Sequence, residues 1–185
     1  MKPVYIVSGL PRSGTSLLMQ ALQAGGFPVA TDGKREPDES NPKGYLEIES
    51  IIDKLRDNPE MVFNFEDQVV KVIAYGLQYL PRGNYRVVYM ERNIEEILDS
   101  MEKMMNAKDE ERESTRAAFV KLNEKSKTDI SSREDMEVLF VSYNEILSNP
   151  REQLEKVHRF FADKDLDLGR MVEAVDSKLY RQRRG

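Results

Sequence analysis

The sequence contains no cysteine and no tryptophan, and its single histidine is His158. Without cysteine there is no disulfide, no thiolate nucleophile and no zinc site of the usual cysteine type. One histidine cannot supply a cluster of histidine ligands for a metal ion. We therefore expect no bound metal and no thiol redox chemistry, and we expect a structural role for His158.

Long hydrophobic runs are also missing from the sequence. The first apolar stretch, residues 4–7, is too short for the hydrophobic region of a secretory signal or for a membrane span. The net charge is −5, from 28 basic and 33 acidic residues, so the surface lacks the overall positive charge that is typical of nucleic-acid binding. These features predict a cytoplasmic protein that binds neither a membrane nor a nucleic acid.

What the sequence does contain is an alternation of strand-like and helix-like segments within 185 residues, a length typical of one domain. We predict a single domain over residues 1–185. Extended segments are predicted at 3–8, 27–30, 69–74, 85–90 and 138–141, and helices near Leu17, Ile48, Ile94 and Pro150. Strands joined by helical crossovers predict a mainly parallel sheet flanked by helices, in a three-layer α/β fold.

Two polar segments interrupt this alternation. The loop from Thr31 to Gly44 is predicted to face a substrate, because loops on a rigid scaffold commonly carry binding residues. Residues 108–135 are densely charged and have few apolar anchors, which predicts a solvated helical excursion. We expect that excursion to be mobile and to close over a ligand.

The strongest motif is residues 9–16, Gly-Leu-Pro-Arg-Ser-Gly-Thr-Ser, between the first predicted strand and the first helix. In such a turn the backbone N–H groups and the helix N-terminus converge on an anion, as in P-loop folds. Thr15 occupies the position where the triphosphate-binding P-loop has lysine, and the nearest cation is Arg12, which argues against an ordinary ATPase or kinase. We predict phosphate-binding roles for Arg12, Ser13, Gly14, Thr15 and Ser16.

A second motif begins where the strand over residues 85–90 ends. Arg92 is followed by seven residues and then by Ser100, which lies two turns into the next predicted helix. The guanidinium fork of Arg92 suits a phosphate, and Ser100 would offer a hydroxyl to the same group. A third segment, residues 139–150, reads as a strand followed by a helix that starts at Asn149-Pro150.

Together these segments resemble the sulfotransferase family. Residues 11–16 are similar to its 5′-phosphosulfate loop, Arg92 and Ser100 to its 3′-phosphate motif, and residues 139–150 to a structural segment that usually reads aromatic-acidic-acidic-leucine before a proline. The resemblance implies a P-loop-type fold and 3′-phosphoadenosine 5′-phosphosulfate as co-substrate. It further implies transfer of the sulfuryl group to a hydroxyl or amine acceptor, with no metal required.

The resemblance also implies roles for residues outside the two phosphate motifs. Lys71 would approach the sulfonate and act with Arg12 in catalysis, and Arg181 and Arg183 near the C-terminus would help to hold the 3′-phosphate. Asp32 is the first candidate for the general base, although pairing with Arg35 would lower its pKa. The alternative bases are Glu36 and Glu47.

The sequence is also compatible with two other functions. One is a small-molecule kinase that uses ATP and magnesium, which would share the architecture and the anion loop. The other is a noncatalytic nucleotide-binding protein that acts through a partner.

Overall fold

A parallel sheet of four strands forms the middle of the computed structural model, which describes residues 2–34 and 44–175. The strands are β1 Val4–Gly9, β2 Val69–Lys71, β3 Tyr85–Glu91 and β4 Met136–Ser142. Their spatial order is β2-β1-β3-β4, and each neighbouring pair is parallel. The fold is therefore α/β, as the alternation of segments predicts.

In the described residues, α-helices lie between β1 and β2, between β3 and β4, and after β4. They are α1 Thr15–Ala24, α2 Ile51–Asp57, α3 Ile94–Met105, α4 Arg112–Ser131, α5 Tyr143–Ser148, α6 Pro150–Phe160 and α7 Leu168–Glu173. Two 3₁₀ helices, Pro59–Phe65 and Ala74–Tyr79, lie on either side of β2 in the chain. Within the described ranges, no helix combines the length and the apolar character needed to cross a bilayer.

Both faces of the sheet are buried, because successive side chains of a strand point to opposite faces. Tyr5 and Val7 of β1 pack in one core with apolar residues of α1, α5, α6 and α7. Val4 and Ile6 pack in a second core with residues of α2, α3, α4 and the 3₁₀ helices. The molecule thus has three layers, with helices on either side of the sheet.

The sheet order also fixes where a ligand crevice lies. From β1 the chain first moves to β2 on one side, and then returns to place β3 and β4 on the other side. In open parallel sheets, ligands bind outside the carboxyl ends of the strands where the direction reverses in this way. Gly9, Lys71, Glu91 and Ser142 end the four strands at that edge.

Element boundaries differ from the predicted ones mainly around β2. The apolar run predicts a strand over residues 69–74, but β2 ends at Lys71 and a 3₁₀ helix begins at Ala74. Val29, in the extended segment predicted at 27–30, pairs with Val69 as an isolated parallel bridge. β4 is longer than the predicted 138–141, because it runs from Met136 to Ser142.

The charged segment at 108–135 forms α4, which is attached to the body of the protein at both ends. Ser126 and Ile130 are buried near its C-terminus. At its N-terminus, the Arg112 guanidinium donates to three carboxylates of α3, those of Glu95, Asp99 and Glu102, at 2.8, 2.8 and 3.0 Å. Closure of this helix over a ligand stays a prediction.

Candidate active site

The predicted anion loop lies where β1 passes into α1, and its backbone needs two glycines. Gly9 has φ +145°, and a Cβ there would lie 2.6 Å from the Met90 carbonyl oxygen of β3. Gly14 has φ +99° and packs directly against the Tyr143 ring. Between them Arg12 has φ 66°, an uncommon value for a residue with a side chain. Strain of this kind clusters at functional sites.

Two polar groups at this loop are buried and unsatisfied. The Ser13 hydroxyl and the Nη2 nitrogen of Arg92 have no hydrogen-bond partner among the described residues. A buried polar group without a partner costs free energy, so each one calls for an explanation. The oxygen of a bound phosphate would accept a hydrogen bond from the group beside it.

Arg92 follows β3 and lies beneath the anion loop. Its Nη1 donates to the Arg12 carbonyl at 3.0 Å and its Nε donates to the Glu96 carboxylate at 3.1 Å. The guanidinium also stacks on the Tyr143 ring, 4.3 Å from the ring centroid. Burial raises the pKa of the Tyr143 hydroxyl, so this ring stays neutral at physiological pH.

The two predicted phosphate motifs contact each other directly. The Nε of Arg12, from the loop, donates to the Ser100 hydroxyl of α3 at 3.1 Å. Ser100 is only 5% exposed, so its hydroxyl is held inside the crevice. The structure therefore brings Arg12, Arg92 and Ser100 into one cluster at the carboxyl edge of the sheet.

Lys71 joins the anion loop to the segment that follows residue 43. Its ammonium group donates to the Ser16 hydroxyl at 3.2 Å and to the Tyr45 carbonyl at 2.9 Å. It also forms an ion pair with Glu47, and the two side chains are 5% and 18% exposed. A carboxylate and a cation thus lie next to the first turn of α1.

Asp32, the first candidate for the general base, is held by hydrogen bonds from the backbone. Its two carboxylate oxygens accept hydrogen bonds from the backbone N–H groups of Lys34 and Glu49, at 3.3 and 3.0 Å. Desolvation raises the pKa of Asp32, but these hydrogen bonds and the Lys54 ammonium outweigh it, so the pKa lies below its usual value. A carboxylate held in this way orders its loop and is a weak base.

Several predicted residues lie outside this cluster or outside the described residues. Arg181, Arg183, Glu36 and Arg35 fall in the ranges that the structure does not describe. Thr15 is buried in the first turn of α1, 6% exposed. The His158 ring nitrogen lies 3.0 Å from the Leu166 carbonyl oxygen, a contact that joins α6 to the segment before α7.

Two residues at the site, Glu96 and Tyr143, have partners that the predicted motifs do not identify. Glu96, whose spacing fits a capping box with Asn93, has its carboxylate on Arg92 and on the Asn144 amide. Tyr143 supplies the ring beneath Arg92. The spacing of four residues from Arg92 to Glu96 is the available signal, because residues four apart share a helix face.

The fold and this cluster define an α/β protein with a glycine-containing loop and two arginines at the carboxyl edge of a parallel sheet. The family model of the sulfotransferase domain matches residues 2–178. The chain therefore belongs to the sulfotransferase domain family and is a sulfotransferase. A search of curated proteins finds no significant sequence match.

One of the similar solved structures supports the fold assignment. The sulfotransferase domain of the olefin synthase from Synechococcus PCC 7002 is similar, with a TM-score of 0.59 at 12% identity over 95% of this chain and 78% of that one. The sulfotransferase domain from the curacin biosynthetic pathway gives 0.49 at 12% identity, over 100% and 79%. A sugar kinase from Janibacter sp. HTCC2649 gives 0.47 at 11%, over 89% and 97%. The last two TM-scores are below 0.5 and are not used to assign the fold.

Proposed function

We propose that this protein transfers the sulfuryl group of 3′-phosphoadenosine 5′-phosphosulfate to a hydroxyl or amine acceptor. The observation that carries the proposal is the cluster of Arg12, Arg92 and Ser100, with donors on Ser13 and Arg92 that have no partner in the described part of the chain. The loop would hold the 5′-phosphosulfate by its N–H groups and by Arg12. Arg92 and Ser100 would hold the 3′-phosphate, which distinguishes this donor from ATP.

The transfer is an in-line displacement at sulfur. The acceptor oxygen or nitrogen forms a bond to sulfur, and the bond from sulfur to the bridging oxygen breaks. Arg12 and Lys71 stabilise the negative charge that develops on the leaving 5′-phosphate. The products are the sulfated acceptor, 3′-phosphoadenosine 5′-phosphate and the proton of the acceptor.

We infer that Glu47, rather than Asp32, takes that proton. Glu47 is paired with Lys71, whose ammonium group also contacts Ser16 of the loop. A shift of Lys71 toward the sulfonate would weaken this ion pair, and the Glu47 carboxylate would then accept the proton of the acceptor. Asp32 instead has both oxygens on backbone N–H groups, which makes it a poor base.

A thermal-shift titration tests the choice of nucleotide. With 3′-phosphoadenosine 5′-phosphate at about 100 times its Kd, the unfolding free energy rises by about 2.7 kcal/mol. For a domain of this size the melting temperature then rises by roughly 5 to 10 °C. The Arg12→Ala variant should fold and lose most of the shift, because Arg12 contacts the anion site and not the core.

The same titration with ATP and magnesium provides the contrast. Stabilisation by ATP with magnesium alone would contradict the proposed donor and support a kinase. The absence of a shift with either nucleotide would contradict the anion site itself.

A further inference from the structure

Glu96 is a fully buried carboxylate that the proposed transfer does not use. Its side chain is 0% exposed, on the first turn of α3. One carboxylate oxygen accepts from the Nε of Arg92 at 3.1 Å, and the other accepts from the Asn144 amide at 3.1 Å. The cost of desolvating two buried charges largely offsets their attraction, so stability alone does not explain this arrangement.

The reason lies in how Arg92 is held. Its guanidinium is fixed at Nε by Glu96, at Nη1 by the Arg12 carbonyl and on one face by the Tyr143 ring. Because the guanidinium is planar and rigid, these contacts also fix the direction of Nη2. That nitrogen is buried and has no partner within the described residues.

The charge of Glu96 matters as well as its geometry. A carboxylate beside Arg92 cancels the arginine's positive charge within the crevice. With that charge cancelled, the crevice recognises an anion by the direction of the Nη2 N–H group of Arg92 more than by net positive charge. Direction distinguishes one phosphate position from another, whereas net charge attracts any phosphate.

We propose that Glu96 is a positioning residue that sets the preference for a 3′-phosphorylated nucleotide, by holding Arg92 with Nη2 toward the 3′-phosphate. The inference rests on the proposed function, because it takes Arg92 as the 3′-phosphate ligand. Asn144 supports Glu96 from α5 and is part of the same arrangement.

Calorimetric binding of two nucleotides tests this role. The measured quantity is the ratio of affinities for 3′-phosphoadenosine 5′-phosphate and adenosine 5′-phosphate. In Glu96→Gln this ratio should fall by about tenfold or more, because the bisphosphate loses a directed N–H donor while the uncancelled charge of Arg92 attracts both nucleotides alike. Glu145→Gln removes a charge from an exposed neighbour of Asn144 on α5 and should keep the wild-type ratio.

Two results would overturn the role of Glu96. One is an unchanged ratio in Glu96→Gln, and the other is an equal loss for both nucleotides, as expected of a purely structural residue. A wild-type ratio near one would instead overturn the proposed function, since the site would then not read the 3′-phosphate at all.

Two further variants keep the test decisive if Glu96→Gln folds poorly. Asn144→Ala removes the second hydrogen bond of Glu96 but keeps its charge, and should lower the ratio by roughly two- to fivefold. In the Arg92→Gln background, Glu96→Gln should change the ratio no further, because the two residues act as a unit. An unchanged ratio in Asn144→Ala, or additive effects in the double variant, contradicts the proposal.

Discussion

At the scale of single residues, the choice of base rests on what each carboxylate already binds. Asp32 accepts from two backbone N–H groups, while Glu47 is paired with a lysine that contacts the anion loop. A proton acceptor must be near the reacting group and must be free to take a proton as the reaction proceeds. Its pairing with Lys71 places Glu47 near the loop, which makes Glu47 the better candidate of the two.

We therefore predict that Glu47→Gln lowers turnover by about 10²-fold or more and keeps the affinity for 3′-phosphoadenosine 5′-phosphate. The measurement is release of that nucleotide from the sulfuryl donor in the presence of a panel of hydroxyl and amine acceptors. Asp32→Asn is the matched control and should retain most of the activity. If Asp32→Asn is the inactive variant and Glu47→Gln the active one, the assignment is reversed.

The residues that lie together at the site were predictable from the sequence where a motif is continuous in the chain. The loop at 9–16 and the spacing from Arg92 to Ser100 both identify residues that the fold brings together. Glu47 could only be given as an alternative, because its pairing with Lys71 depends on a contact between segments 24 residues apart. Tyr143 was likewise found only as part of a structural segment, since its contact with Arg92 is non-local.

At the scale of elements, the turn from β1 to α1 depends on close packing as well as on backbone conformation. A Cβ on Gly14 would lie 2.2 Å from a ring carbon of Tyr143. Gly26 has nearly the same backbone angle, φ +95° against +99°, yet a Cβ there would meet nothing within 4 Å. The two glycines therefore separate the effect of conformation from the effect of steric overlap.

Gly14→Ala should cost more unfolding free energy than Gly26→Ala. Both variants place a side chain at a positive φ, which costs roughly 1–2 kcal/mol. Gly14→Ala also displaces the Tyr143 ring, and overpacking of this kind adds about 1–3 kcal/mol. Urea unfolding of both variants measures the difference, and equal losses would mean that the ring moves aside freely.

The elements around β2 show where pattern reading falls short. The β-branched run predicts a strand over 69–74, but the chain turns after Lys71. The turn is possible because Gly76 packs closely against Val72 and Ile52, where a Cβ would lie 2.8 and 3.1 Å from their side chains. Tertiary packing of this kind overrides a local strand preference.

At the scale of the whole molecule, the fold class was predictable because the pattern repeats along the chain. Several short apolar runs separated by helical segments leave few arrangements other than a parallel sheet covered on both faces. The order β2-β1-β3-β4 was not predictable, because strand order depends on which neighbours pair and local sequence does not encode it. That order places the ends of β1, β2 and β3 together and so assembles the site.

The stability of the whole fold should depend on one carboxylate at the opposite edge of the sheet. Asp135 precedes β4 and accepts hydrogen bonds from the Arg133 guanidinium at 2.6 Å and from the Gly83 backbone N–H at 2.8 Å. The Arg133 hydrogen bond is the main cause that holds the pKa of Asp135 well below its usual range, and the Gly83 hydrogen bond contributes to it. The Arg133 side chain also donates to the Leu80 carbonyl at 2.8 Å, so this pair fixes the loop before β3.

We predict that Asp135→Asn lowers the unfolding free energy at pH 7 by about 2 kcal/mol, the order of a hydrogen bond to a charged group. Folding lowers the pKa of this carboxylate, so it stabilises the folded protein at pH values above about 3.9, the pKa of an aspartate in the unfolded chain. That contribution is lost as the pH falls toward the pKa of the carboxylate in the folded protein. The gap between wild type and variant should therefore shrink between about pH 5 and pH 2, as urea unfolding across that range would show. Glu134→Gln changes an exposed neighbouring residue and should leave the unfolding free energy close to that of the wild type at every pH. If the difference between wild type and Asp135→Asn persists at the lowest pH, side-chain shape and not charge stabilises this end of the sheet.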